Sequence, residues 1–161
     1  MWLQTHRNTP MTTRRLLTEL RNSKQLPESI LELTPKGEDS LYEWTALIQP
    51  NKSSIYGGNN YRLSIHLPLE YPLEPPKIKF ANPIPHSNID LKTGDICLDI
   101  LKSENWSPAW TLQTALLAVL VLLDHQEPDS PLNVDMANLC RLNDRLAMVS
   151  LINYYNFNNK E

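Results

Sequence analysis

Glycine, cysteine and histidine are all scarce in this chain: four, two and four of 161 residues. With only Gly37, Gly57, Gly58 and Gly94, the sequence holds neither G-x-x-x-x-G-K-[ST] nor G-x-G-x-x-G. It lacks the usual backbone cradle for nucleotide phosphates, so no ATP chemistry is expected on the chain itself. Cys97 and Cys140 stand far apart, without a C-x-x-C pair or clustered histidines. That excludes a disulfide framework and a zinc site, and it points to a reducing compartment. His6, His66, His86 and His125 sit in no signature that would supply a hydrolytic cysteine with its base. No metal or cofactor is expected.

Long apolar runs are missing too. The opening MWLQTHRNTPMTTRR has no signal-like apolar core, and the longest apolar run, 115–123, falls far short of the roughly 20 residues a bilayer span requires. No direct membrane insertion is expected, and any membrane association must run through a partner. The net charge of −3 conceals an asymmetry: in residues 1–26 the cations Arg7, Arg14, Arg15, Arg21 and Lys24 face only Glu19. A positive end on an acidic body suits steering toward an acidic protein surface, or is simply the solvated side of an amphipathic helix. Nucleic-acid binding, which needs a broad basic face with stacking aromatics, is not expected.

What is present is a hydrophobic content of 41% in a length suited to one core. Thr12 or Thr13 is placed to cap a first helix with Leu16, Leu17 and Leu20 on one side, ending near Leu26-Pro27. The period then shifts to two. Tyr42, Trp44, Ala46 and Ile48 share a face, as do Tyr61, Leu63, Ile65 and Leu67, with Gly57-Gly58 supplying the turn between them. KIKF (77–80) adds a strand, and residues 29–33 start the sheet. Six of the thirteen prolines lie in 68–85, which reads as a rigid packed loop. TLQTALLAVLVLL (111–123) predicts a core helix buried on most sides. Two more helices follow, at 134–142 and from 144 to about 155, each preceded by a capping asparagine, Asn133 or Asn143. The tail NFNNKE should fray. Helix, antiparallel sheet, irregular segment and helices make one α+β domain over 1–161, with its core at about 12–155.

The irregular segment holds the chemistry. A cysteine in ICLDIL is, taken alone, more often a small buried hydrophobe than a nucleophile. Directly after it, however, come Lys102, Ser103, Glu104, Asn105 and Ser107-Pro108, a turn-rich polar stretch that belongs at the surface. Cys97 thus stands where a strand-like run meets exposed loops, open to either reading.

Five motifs decide between them. Y-P-L-E-P-P (71–76), H-S-N-I (86–89), G-D-I-C-L-D-I-L (94–101), W-S-P-A (106–109) and D-S-P-L (129–132), in this order, resemble ubiquitin-conjugating enzymes. W-S-P-A-W (106–110), the loop H-S-N-I-D-L-K-T-G-D-I-C and D-S-P-L-N-V-D (129–135) are most similar to the peroxisomal branch of that family. The resemblance implies the ubiquitin-conjugating fold: an N-terminal helix, a four-stranded antiparallel meander, a central helix and C-terminal helices.

It also implies roles. Cys97 matches the residue that receives ubiquitin from an activating enzyme as a thioester. Because that acyl group arrives already energised, with ATP spent by the activating enzyme, neither a partner histidine nor a cofactor is needed. Asn88 matches an amide associated with the oxyanion of thioester attack, or with holding the nearby loop. Ser130 matches a rim position that helps place or deprotonate the incoming nucleophile. Leu73, Pro108 and Ala109 match the loops that contact ring-type ubiquitin ligases beside the first helix. Trp106, Trp110 and His86 read as packing residues. Two departures bear on Asn88: the usual H-P-N is His86-Ser87-Asn88, and the loop from Asn88 to Cys97 is longer by a single residue than the commonest spacing.

The peroxisomal branch implies the import receptor as substrate, in its recycling during matrix protein import, and a membrane-anchored peroxin partner. Its place of work would be the cytosolic face of the peroxisomal membrane. The rivals are an enzyme of this fold for another modifier, and a non-catalytic binding module in which Cys97 is only core.

Overall fold

The computed structural model describes residues 11–37 and 40–159. Arg7, and with it part of the positive N-terminal end, lies outside the described residues. Helix α1 (Met11–Asn22) leads into strands β1 (Ile30–Pro35), β2 (Glu43–Ile48), β3 (Tyr61–His66) and β4 (Lys77–Phe80), then α2 (Leu112–Asp124), α3 (Val134–Arg141) and α4 (Arg145–Asn158). The strands form one antiparallel sheet in the order β1-β2-β3-β4, the expected meander.

Alternation fixes which face is dry. Trp44, Ala46 and Ile48 of β2 and Leu63 and Ile65 of β3 point into the core, while Arg62 and His66 face outward. Ala46 sits opposite Leu63, and Trp44 opposite Ile65. Leu112, Ala115, Leu116, Val119 and Leu123 of α2 pack into the same cluster. Each fully buried aliphatic side chain contributes about 1.5–3 kcal/mol, so this contact is the main source of the domain's cohesion. In the turn between β2 and β3 the two glycines have different reasons. Gly58 has φ +81°, whereas a Cβ on Gly57 would stand 2.6 Å from the Asn51 carbonyl oxygen.

The helices depart from the pattern-based reading in several places, each for a tertiary reason. Thr12 and Thr13 lie inside α1 rather than before it. This helix ends at Asn22, ahead of Leu26, because Lys24 and Gln25 close tight turns onto Arg21 and Asn22, and the Gln113 side chain of α2 donates to the carbonyls of Asn22 and Gln25. Helix α2 is buried on most sides as expected, but one stripe of it is not: Leu117 and Val121 face outward, Val121 at 59% exposure. Its N-cap is Thr111, which accepts from the Thr114 N–H.

Asn133 caps α3 as expected, but α4 is capped by Asp144. Asn143 instead takes φ +52°, the left-handed conformation that reverses the chain between the two helices. The tail is helical to Asn158, and Lys160 and Glu161 lie outside the described residues. Asn156 donates to the Tyr61 hydroxyl and Asn159 to the Pro83 carbonyl, which tie this end to the sheet.

Candidate active site

After β4 the chain runs through 81–85 into His86-Ser87-Asn88 and then makes a small hairpin. Ile89 bridges Ile96, the Asp90 N–H donates to the Asp95 carbonyl at 2.9 Å, and the Gly94 N–H returns to the Asp90 carbonyl at 2.9 Å. Asp90 Oδ1 accepts from the N–H groups of Thr93 and, next, Lys92, which holds its carboxyl below the usual range. The tip docks against β4: Gly94 has φ +74°, its carbonyl accepts from the Phe80 N–H, and a Cβ there would stand 2.1 Å from the Phe80 carbonyl oxygen. Only glycine fits.

Within this longer loop Asn88 and Cys97 stand opposite each other, the Cys97 N–H donating to the Asn88 carbonyl at 2.8 Å. Cys97 is half-buried. It is neither sealed core nor a free loop thiol, which suits a nucleophile presented from a rigid frame. A single 3-10 turn, Asp99–Leu101, follows it, and there Lys102 pairs with Asp99 at 2.6 Å. The Lys102 ammonium is held above its ordinary range, chiefly by that carboxylate.

Asn88 is buried, and its amide is engaged. Oδ1 accepts from the Glu127 N–H at 2.8 Å, while Nδ2 donates to the Glu127 carbonyl at 2.8 Å and to the Ser130 carbonyl at 3.4 Å. Asn88 therefore connects Cys97, through its own carbonyl, to Ser130, through its amide. Ser130 is exposed on the segment between α2 and α3. Of the two roles expected for Asn88, this geometry serves the holding of the loop.

His86 is fully buried. Its Nε2 faces the Leu122 carbonyl at 2.9 Å and its Nδ1 faces the Asn88 N–H at 3.0 Å, so the neutral tautomer with hydrogen on Nε2 satisfies both. Burial lowers its pKa to about 4. It is a structural residue, as its sequence position suggested.

Leu73 is 66% exposed, and Pro108 and Ala109 are exposed beside it in the second loop. The tryptophans between them pack: buried Trp106 donates Nε1–H to the Pro72 carbonyl at 2.8 Å, and Trp110 meets it edge-to-face at 5.7 Å. Sequence reasoning missed the group beneath these loops. Glu19 of α1 has no exposed surface, and its carboxylate accepts from Arg15 Nε at 2.8 Å, from the Tyr71 hydroxyl at 2.7 Å and from the Leu112 N–H at 3.2 Å. Arg15 also donates to the carbonyls of Pro108 and Trp110. Burial, followed by the Glu19 charge, pushes the Tyr71 phenol well above its ordinary value. The visible signal was spacing: three residues after Leu16, Glu19 falls on the apolar side of α1.

A half-buried cysteine beside a locked asparagine, in a domain that also presents two exposed apolar loops, suits the handing of an acyl group between proteins. The family model described as "Ubiquitin-conjugating enzyme" matches residues 15–153. The chain belongs to the ubiquitin-conjugating enzyme family. Such enzymes are transferases that work with ubiquitin, an activating enzyme and ligases. Among its relatives, the Ubiquitin-conjugating enzyme E2-21 kDa of Pichia angusta is 42% identical over 175 residues, covering 89% of this chain and 92% of that protein. Protein PEROXIN-4 of Arabidopsis thaliana is 45% identical over 118 residues, covering 73% and 74%. A solved relative, the H. polymorpha ubiquitin-conjugating enzyme Pex4p in complex with the soluble domain of Pex22p, superposes with a TM-score of 0.83 at 39% identity, covering 91% of this chain and 96% of that one. This ubiquitin-conjugating enzyme is thus similar to the peroxin-4 group and shares its fold. Among the described residues no helix is long and apolar enough to cross a membrane.

Proposed function

We propose that this ubiquitin-conjugating enzyme carries ubiquitin on Cys97 and delivers it, docked on a ring-type ligase, to the peroxisomal import receptor so that the receptor can be recycled. The carrying observation is the pairing of half-buried Cys97 with buried Asn88, whose amide reaches the segment bearing Ser130. In the first step the Cys97 sulfur attacks the thioester carbonyl on the activating enzyme. A new carbon–sulfur bond forms, the old one breaks, and the departing thiolate takes up the proton Cys97 gave. In the second step an acceptor amine or thiol attacks the Cys97 thioester, loses its proton, and frees the Cys97 sulfur as leaving group. Both exchanges start from an activated acyl group, so ATP is used only by the activating enzyme and this chain needs no cofactor.

Leu73, Pro108 and Ala109 form the ligase-docking surface, an exposed apolar patch on a frame fixed by Trp106 and Arg15. The peroxisomal assignment is supported by relatives named PEROXIN-4 and PEX4 and by the Pex4p structure with Pex22p. A membrane-anchored peroxin partner would hold the enzyme at the cytosolic face of the organelle.

The test is charging with ubiquitin, activating enzyme and ATP, run on a non-reducing gel beside Cys97→Ala and Cys140→Ala. A thiol-sensitive adduct of one ubiquitin, lost in Cys97→Ala alone, is expected. Absence of the adduct from folded protein, with a working activating enzyme, would refute the assignment of Cys97. Ubiquitination of the import receptor in peroxisomal membranes, restored by the wild-type chain and not by Cys97→Ala, tests the pathway.

A further inference from the structure

His86, Ser87 and Asn88 grip one segment at successive points. His86 meets the Leu122 carbonyl near the end of α2, and Asn88 takes Glu127 and Ser130. Ser87, between them, does the most. Its N–H and its hydroxyl both donate to Gln126 Oε1, at 2.8 and 2.6 Å, and its carbonyl accepts from the N–H groups of Leu132 at 2.8 Å and Asn133 at 3.1 Å. One buried residue thereby fixes both ends of 126–133, the segment that carries Ser130.

The orientation of Gln126 is not free. Its Nε2 donates to the Tyr56 hydroxyl at 3.3 Å, and that hydroxyl is spent on the Pro85 carbonyl at 2.6 Å. Flipping the amide would turn a donor toward the Ser87 N–H and leave that buried N–H without an acceptor. A proline at 87, as in the H-P-N form of the triplet, would have neither N–H nor hydroxyl and would leave Gln126 Oε1 without both bonds. The serine that departs from the usual triplet therefore makes two contacts that its usual occupant cannot make.

We propose that Ser87 and Gln126 are a positioning pair that holds the Ser130 segment at the rim of Cys97, and so governs discharge of the thioester rather than its formation. This rests on Cys97 being the thioester residue. Charging requires only that the Cys97 sulfur reach the thioester of the activating enzyme. Discharge requires an incoming amine to be aligned at the rim, where a displacement of about 1 Å is enough to cost up to a hundredfold in rate.

The experiment is single-turnover discharge of preformed ubiquitin thioester to free lysine, over a range of lysine concentrations, with the charging rate and a thermal melt for each protein. The variants are Ser87→Ala, Gln126→Ala, the double variant and Gln126→Glu, which keeps an acceptor for both Ser87 donors. Cys97→Ala is the blank. Maximal discharge should fall on the order of tenfold in each single alanine variant, with charging within about twofold of wild type. The double variant should be no slower than Gln126→Ala, because Ser87→Ala keeps its N–H for Gln126 and has no further partner to lose. Gln126→Glu, which keeps the acceptor and gives up the donor to Tyr56, should recover part of the rate.

Discharge unchanged in both alanine variants would overturn the proposal. So would a loss of discharge in step with charging and melting temperature, or single effects that multiply in the double variant. Should wild type fail to charge, or Cys97→Ala still charge, the thioester assignment itself falls and takes the proposal with it.

Discussion

Asn88 and Glu127 are bonded reciprocally: the side-chain oxygen of Asn88 accepts from the Glu127 N–H, and its side-chain nitrogen donates to the Glu127 carbonyl, both at 2.8 Å. This satisfies two backbone groups of a loop that has no regular structure of its own. It also means that the amide cannot turn toward an oxyanion on Cys97 without giving up a bond.

Loss of this pair should therefore appear in stability as well as in catalysis. Asn88→Ala leaves the Glu127 N–H and the carbonyls of Glu127 and Ser130 without this partner, at a cost of about 2–3 kcal/mol, and on a chain of this size the melting temperature should drop by roughly 5–10 °C. Discharge of the Cys97 thioester should slow as well. A purely electrostatic role would slow discharge and leave the melting temperature unmoved, so a thermal scan beside a discharge assay separates the two.

His86 makes stability depend on pH in a window of its own. Its folded pKa is about 4 against an ordinary 6.5, so the unfolded chain takes up a proton at a pH where the folded one does not. The stabilisation is fully present above 6.5 and is lost as pH falls through about 4, amounting to about 3 kcal/mol in all and about 2 kcal/mol by about pH 5. The exposed carboxyls Asp90 and Asp95, whose pKa values are also lowered, act only further down, in the carboxylate range. Urea unfolding at about pH 7 and about pH 5 should show the loss in wild type and a much smaller one in His86→Gln. Equal losses in the two proteins would show that His86 is not the titrating group.

Much of this molecule was legible because its periodicities are local. Trp44, Ala46 and Ile48 alternate in the sequence as they do in the sheet, and the run from Gly94 to the paired tryptophans marks the cysteine's surroundings. What escaped depends on partners remote in sequence. Nothing near Gln126 announces that Ser87 will hold it, and nothing near Val121 shows that one side of an almost wholly apolar helix faces out. Asn143 is a reasonable cap by residue type, yet the chain reversal between α3 and α4 requires a left-handed residue there and passes the capping to Asp144. The serine in the H-S-N triplet was visible as a departure, but its use could be read only once both ends of the following segment were in place.

Glu19 is the residue whose replacement should reach furthest. Its carboxylate joins Arg15, the Tyr71 hydroxyl and the first N–H of α2, so one buried group ties α1 to both exposed loops and to the central helix. A negative charge at the start of α2 is also favoured by the helix dipole. Glu19→Gln keeps the shape and removes the charge, leaving largely buried Arg15 without its counter-ion and turning a side-chain donor either toward Arg15 and Tyr71 or toward the Leu112 N–H. The cost should be about 2–4 kcal/mol in urea unfolding. Because Arg15 also holds the carbonyls of Pro108 and Trp110, ligase-stimulated discharge should fall further than unstimulated discharge does. A Glu19→Gln protein within about 0.5 kcal/mol of wild type would mean that the charge at this position contributes nothing net, and that packing of Trp106 and Tyr71 alone holds the two loops in place.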